Sequence, residues 1–96
     1  MVRYQTTDEG AETNASLVRA VFAELATRAP EGLHYASYRL PDGVTFVHVA
    51  TVATPDDNPL TKLPAFAAFQ AKLKERCVEP PVVTELSPVG SYRVAT

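Results

Sequence analysis

Leu33 to Thr54 reads LHYASYRLPDGVTFVHVATVAT, and the way this stretch pairs with itself decides the fold. Leu33–Leu40 and Thr45–Thr54 are rich in the β-branched and aromatic residues that fit a pleated, half-buried surface. Between them, Leu40-Pro41-Asp42-Gly43-Val44 carries a turn: proline presets φ, and glycine accepts a positive φ at no steric cost. The two runs therefore form a hairpin. Read as a three-residue loop with a bulge, the turn sets Leu40 opposite Val44. One face then carries His34, Ala36, Tyr38, Leu40, Val44, Phe46, His48, Ala50 and Val52. The other carries Leu33, Tyr35, Ser37, Arg39, Thr45, Val47, Val49, Thr51 and Ala53. Neither face is polar enough to be left to water, so both are expected to be covered.

Upstream of the hairpin, Val2–Thr7 has strand character and is broken by Asp8-Glu9-Gly10. From Ala11 to Ala29, Leu17, Val18, Val21, Phe22 and Leu25 recur at helical spacing. Glu12 near the start and Arg28 near the end follow the helix dipole, and Pro30 and Gly32 stop the helix. Downstream, Asp56-Asp57-Asn58-Pro59 is a loop and Thr61 a predicted N-cap for a second helix, with Pro64 in its first turn. Leu63, Phe66, Phe69 and Leu73 give that helix an apolar face running towards Cys77, and Pro80-Pro81 ends the passage. Val82–Leu86 opens a last strand that Val89–Val94 is expected to continue past Pro88, at an edge or through a bulge.

The order β-α-β-β-α-β, with right-handed crossovers and short connections, predicts a ferredoxin-like α+β fold: a four-stranded antiparallel sheet with two helices on one face. The helices cover one side of the sheet. A second copy of the chain, packed sheet against sheet about a two-fold axis, is expected to cover the other and complete a dimeric α+β barrel.

Composition narrows the function classes. Ninety-six residues make one domain, spanning 1–96, and 46% hydrophobic with 21% charged residues is the balance of a globular chain rather than a disordered one. A net charge of -2 with dispersed basic residues excludes a strongly basic nucleic-acid binder. The lone cysteine, Cys77, excludes an intrachain disulfide and any Cys/His zinc motif. No apolar run reaches the length of a membrane span, and MVRYQTTDEG lacks a secretory h-region, so the expected location is the cytoplasm.

Under the register above, His48 lies opposite Ala36 and diagonal to His34 and Tyr38, close enough for rings to meet. His34, His48 and Tyr38 are therefore the candidate catalytic residues. Two imidazoles and a phenol in a cleft suit deprotonation of a phenolic or enolic substrate. They equally suit a hydrogen-bonded pair filling a sheet interface, or ligand binding without turnover. Two histidines without a third ligand make a poor metal site, and four glycines form no nucleotide-binding loop, so neither metal nor cofactor is expected. Tyr35, Ser37 and Arg39 are expected to pair across the dimer interface or to line a second cavity, Phe66, Phe69 and Leu73 to lie in the core, and Cys77 to be a small buried hydrophobe at the end of the second helix.

The segments GLHYASYRL, the PDG turn, TFVHVATV, NPLTKLPAFAAFQAKL and PPVVTELSPVGSYR together resemble the dimeric α+β-barrel superfamily. Within it they are similar to the small antibiotic-biosynthesis-monooxygenase-like (ABM-like) domains, over Val2 to about Tyr92. The resemblance implies a homodimer and a cofactor-independent monooxygenase acting on a hydrophobic aromatic metabolite, or a non-catalytic ligand-binding or accessory dimer on the same scaffold. Members often carry a glutamate followed two residues later by a tryptophan on the third strand. Here that stretch reads Ala50-Thr51-Val52, and the chain has no tryptophan. The second helix has no histidine of the kind that ligates haem in the haem-degrading relatives.

Overall fold

The computed structural model describes residues 1–54 and 56–93. Its elements are β1 (Val2–Thr6), α1 (Ala11–Arg28), β2 (Leu33–Arg39), β3 (Thr45–Val52), a 3-10 turn (Pro59–Lys62), α2 (Pro64–Gln70), α3 (Leu73–Arg76) and β4 (Cys77–Val83). The strands form one antiparallel sheet in the order β2-β3-β1-β4. This is the ferredoxin-like α+β arrangement expected from the sequence. Phe22 of α1 stacks on Tyr35, and Phe69 of α2 packs against Tyr4 and His48, so both helices lie on the same sheet face. The core between them holds Tyr4, Ala11, Ala15, Val21, Phe46, Leu60, Leu63 and Phe69.

The hairpin register differs from the expected one by a residue, with large consequences. Leu40 N–H donates to Thr45 O and Gly43 N–H to Leu40 O, both at 2.9 Å, so the loop is the four residues Pro41–Val44. Asp42 causes this. Its carboxylate accepts from Val44 N–H at 2.9 Å, Thr45 N–H at 2.8 Å and the Thr45 hydroxyl. Capturing the Val44 amide holds that residue in the loop instead of opposite Leu40. Gly43 supplies the left-handed φ of 79° that the turn requires. The same bonds hold the Asp42 carboxyl below its ordinary range, the Thr45 hydroxyl contributing most. His48 therefore pairs with Ser37, and Ala36 with Val49. Because side chains alternate across a strand, the slip of one moves His48 to the face opposite His34 and Tyr38.

The second helix is interrupted. Asn58, not Thr61, caps its approach, its side chain accepting from Leu60 N–H at 3.0 Å, while Thr61 donates to Asn58 O at 2.8 Å. After α2, Arg76 donates to the carbonyls of Phe69 at 2.7 Å and Ala71 at 3.2 Å, groups that a continuing helix would have used. Lys72 turns the chain with φ 61°, and α3 is a single turn. Cys77 consequently opens β4 rather than ending a helix. Pro80 and Pro81 lie inside β4, where an edge position and register breaks opposite β1 remove the need for their missing N–H groups. Residues 84–93 form no strand, and Val94 lies outside the described residues. No helix is long and apolar enough to cross a membrane, among the described residues.

Candidate functional site

The inner face of the sheet brings together rings from three strands and both longer helices. Tyr4 pairs with Phe46 and is diagonal to His48; His48 pairs with Ser37 and is diagonal to Tyr35. Neighbours of this kind on one sheet face are within ring-packing distance. Phe46, Tyr4, His48, Tyr35 and Phe22 accordingly stack in a row, with successive centroids 5.6, 5.3, 5.9 and 5.2 Å apart. Phe69 leans on Tyr4 and His48 at 6.3 and 5.4 Å.

His48, at 4% exposure, sits at the middle of a hydrogen-bonded chain. Its Nε2 is 2.7 Å from the Tyr4 hydroxyl, and its Nδ1 is 2.6 Å from Ser37 Oγ and 2.8 Å from the Tyr35 hydroxyl. Tyr4 accepts from Asn14 Nδ2 at 2.8 Å, and Asn14 Oδ1 accepts from Arg76 Nε and Nη2 at 3.3 and 3.2 Å. Burial drives the imidazole pKa down to about 4, so His48 is neutral at physiological pH. Burial also pushes the Tyr4 phenol far above its ordinary value, which the Asn14 bond only partly offsets. Tyr35 is raised for the same reason, with Ser37 acting against it. Burial raises the Cys77 thiol as well, against a smaller pull from Arg76, so this group is held as a thiol.

Tyr4, Tyr35 and His48 form the floor of a cleft of about 420 Å³ between the sheet and α2, walled by Leu60, Phe66, Phe69 and Leu73 and bordered by Met1, Asn58 and Pro81. Its size and mostly apolar lining, with polar groups on the floor and at Asn58 and Gln70, suit a small organic molecule. His34 and Tyr38 are elsewhere. They lie on the outer face with Ala36, Val49 and Thr51, around a more open hollow of about 430 Å³. Tyr38 is 59% exposed. The three sequence candidates are thus divided, His48 alone lying in the cleft. Tyr35, expected at an interface or a cavity, lines the cleft beside it, and Ser37 bonds His48 from behind.

Tyr4, Asn14 and Arg76 were not legible as site residues from the sequence, although Asn14 carried a signal. It stands on the stripe Asn14, Leu17, Val18, Val21, where a polar residue on an apolar helix face asks for a buried partner. Among the described residues, no three His, Cys, Asp or Glu side chains gather to hold a metal ion.

The chain matches no known family profile and no curated protein. Among solved structures it is similar to Rv0793 from Mycobacterium tuberculosis, with a TM-score of 0.72 and 22% identity over 94% of this chain and 92% of that one. At this identity the likeness establishes a shared fold.

Proposed function

We propose that the protein is a cofactor-independent monooxygenase of the ABM-like type, acting on a flat, apolar phenolic or enolic metabolite held between the sheet and the helices. The observation that carries this reading is a neutral, buried imidazole flanked by two phenols on the floor of an otherwise apolar cleft. In such chemistry the ionised substrate is its own reductant. A reactive CH₂ and O₂ become a carbonyl and water, one oxygen atom entering the product and the other leaving with the two hydrogens lost from carbon. Tyr35 holds the substrate oxygen with His48 behind it, Tyr4 and Phe69 pack beside the ring system, and Leu60 and Phe66 exclude water. Desolvation strengthens each hydrogen bond made there.

The partner in this reading is a second copy of the chain, packed on the outer sheet face. That face leaves Tyr38 and Val82 59% and 61% exposed, with Arg3 between Val47 and Val82 on its central strand and Glu79 on the β4 edge, so a second copy related by a two-fold axis can set the two charges against each other. Leu86, Val89 and Tyr92 extend the exposed apolar surface beyond β4.

Oxygen uptake with a panel of hydroquinones and polyketide-like phenols tests the activity. Wild type is expected to consume oxygen, and His48→Ala to lose about 100-fold or more of the rate. No uptake by wild type, or unchanged uptake by a folded His48→Ala, sinks the oxygenase reading. Ligand binding without turnover is the second reading, favoured by the fact that every buried polar side-chain atom among the described residues already has a partner. Saturable quenching of tyrosine fluorescence by a phenol that is not oxidised would select it.

A further inference from the structure

The bonds around His48 run in one direction. Arg76 can only donate, so the Asn14 atom facing it is the amide oxygen, and the Asn14 NH₂ is left to point at Tyr4. Tyr4 receives that hydrogen and has one of its own, whose acceptor is His48 Nε2 at 2.7 Å. A neutral imidazole with an accepting Nε2 carries its proton on Nδ1. That nitrogen faces both Ser37 and Tyr35. Three hydrogens now meet at one corner: Nδ1–H, the Ser37 hydroxyl and the Tyr35 hydroxyl. Nδ1 has no lone pair to offer. The two hydroxyl oxygens can accept from Nδ1–H, and neither hydroxyl hydrogen finds an acceptor on the imidazole; of the two groups, Tyr35 lines the cleft.

We infer that Asn14, oriented by Arg76, is a positioning residue that fixes His48 as the Nδ1–H tautomer and leaves the cleft with a surplus donor at Tyr35, so that it recognises a ligand through an oxyanion or carbonyl oxygen. Arg76 is the one charged side chain in this chain of bonds, and Tyr4, Tyr35 and Cys77 are the other titratable groups around it. A positive charge at one end polarises each hydrogen bond towards the other and favours an anion there. Asn14 is entirely buried, so water cannot substitute for its amide. The choice of ligand class rests on the binding cleft proposed above; the tautomer does not.

Imidazole nitrogen shifts in a long-range proton–nitrogen correlation spectrum of the ¹⁵N-labelled protein test the tautomer, with His34, the only other histidine, as an internal reference. Wild type is expected to show a protonated Nδ1 and a bare Nε2 for His48. In Asn14→Asp the carboxylate can only accept, so Tyr4 turns its hydrogen towards residue 14 and takes one from Nε2. The two nitrogen signals are then expected to exchange character. A proton on Nε2 in wild type, or an unchanged pattern in Asn14→Asp, overturns the inference. If Asn14→Asp does not fold, Tyr4→Phe removes the donor to Nε2, and a strict Nδ1–H signal surviving in it has the same force. For the ligand, 4-nitrophenol is the probe, because its phenolate is coloured. Wild type is expected to bind the phenolate at least tenfold more tightly than the phenol, deepening the colour at fixed pH, and Asn14→Asp to lose that preference. Bleaching, or no change at all, refutes the ligand class. Neither readout consumes oxygen, so failure of the oxygenase reading leaves both results standing.

Discussion

His48 shows how one buried side chain ties the site to stability. Its folded pKa, about 4, lies below the ordinary 6.5 because burial disfavours the imidazolium. Between these values the unfolded chain binds a proton that the folded chain does not, so stability is complete above pH 6.5 and falls as the pH drops towards 4. The loss approaches about 3 kcal/mol across that window. Urea unfolding at pH 7 and pH 4.5 should show it, and His48→Gln should unfold with a markedly shallower pH dependence attributable to this site. An equal slope in both proteins would mean that His48 protonates freely when folded. Phe69 supports the same site from α2, touching the rings of Tyr4, His48 and Phe66. Phe69→Ala should destabilise the fold by about 3–5 kcal/mol, measured by denaturant unfolding.

At the level of elements, the turns control what the strands and helices present. The Asp42 carboxylate adds one residue to the hairpin loop and so selects which side of β3 faces the helices. Lys72, at φ 61°, ends the path of α2 and lets Arg76 fold back onto Phe69 O and Asn14. A left-handed residue with a Cβ is strained, and glycine relieves the strain while adding freedom to the unfolded chain. Lys72→Gly is therefore expected to stabilise by about 0.5 kcal/mol and to leave the Arg76 contacts intact. A fall in the denaturation midpoint would show that the lysine side chain contributes more than its backbone strain takes away. The hairpin and α1 were legible in the sequence because their signals are local: alternation, turn residues and helical spacing. The break in the second helix was not, because it depends on Arg76 reaching carbonyls five and seven residues back.

For the whole molecule, the proposed assembly rests on the open sheet face. The proposed dimer places Val49, opposite Ala36 on that face, under the partner. Light scattering should give twice the 10.4 kDa chain mass for wild type. Val49→Arg should shift it to the monomer, since an unpaired charge is strongly disfavoured in a buried contact, while far-ultraviolet circular dichroism stays unchanged. A wild-type particle of 10.4 kDa at micromolar concentration would remove the dimer.

Periodicity along the chain determined the element order, and chain-connection rules turned that order into a ferredoxin-like sheet with both helices on one side. Those signals need only neighbours in sequence, so the amino acids carry them directly. The site followed a different logic. Whether His48 shares a face with His34 and Tyr38 or with Tyr35 and Ser37 turns on a single residue in a loop, set by one carboxylate choosing two backbone amides. Asn14, Tyr4 and Arg76 meet His48 across separations that no local pattern records. Side-chain period two makes the face an all-or-none outcome of register, and only the packed tertiary structure fixes the register.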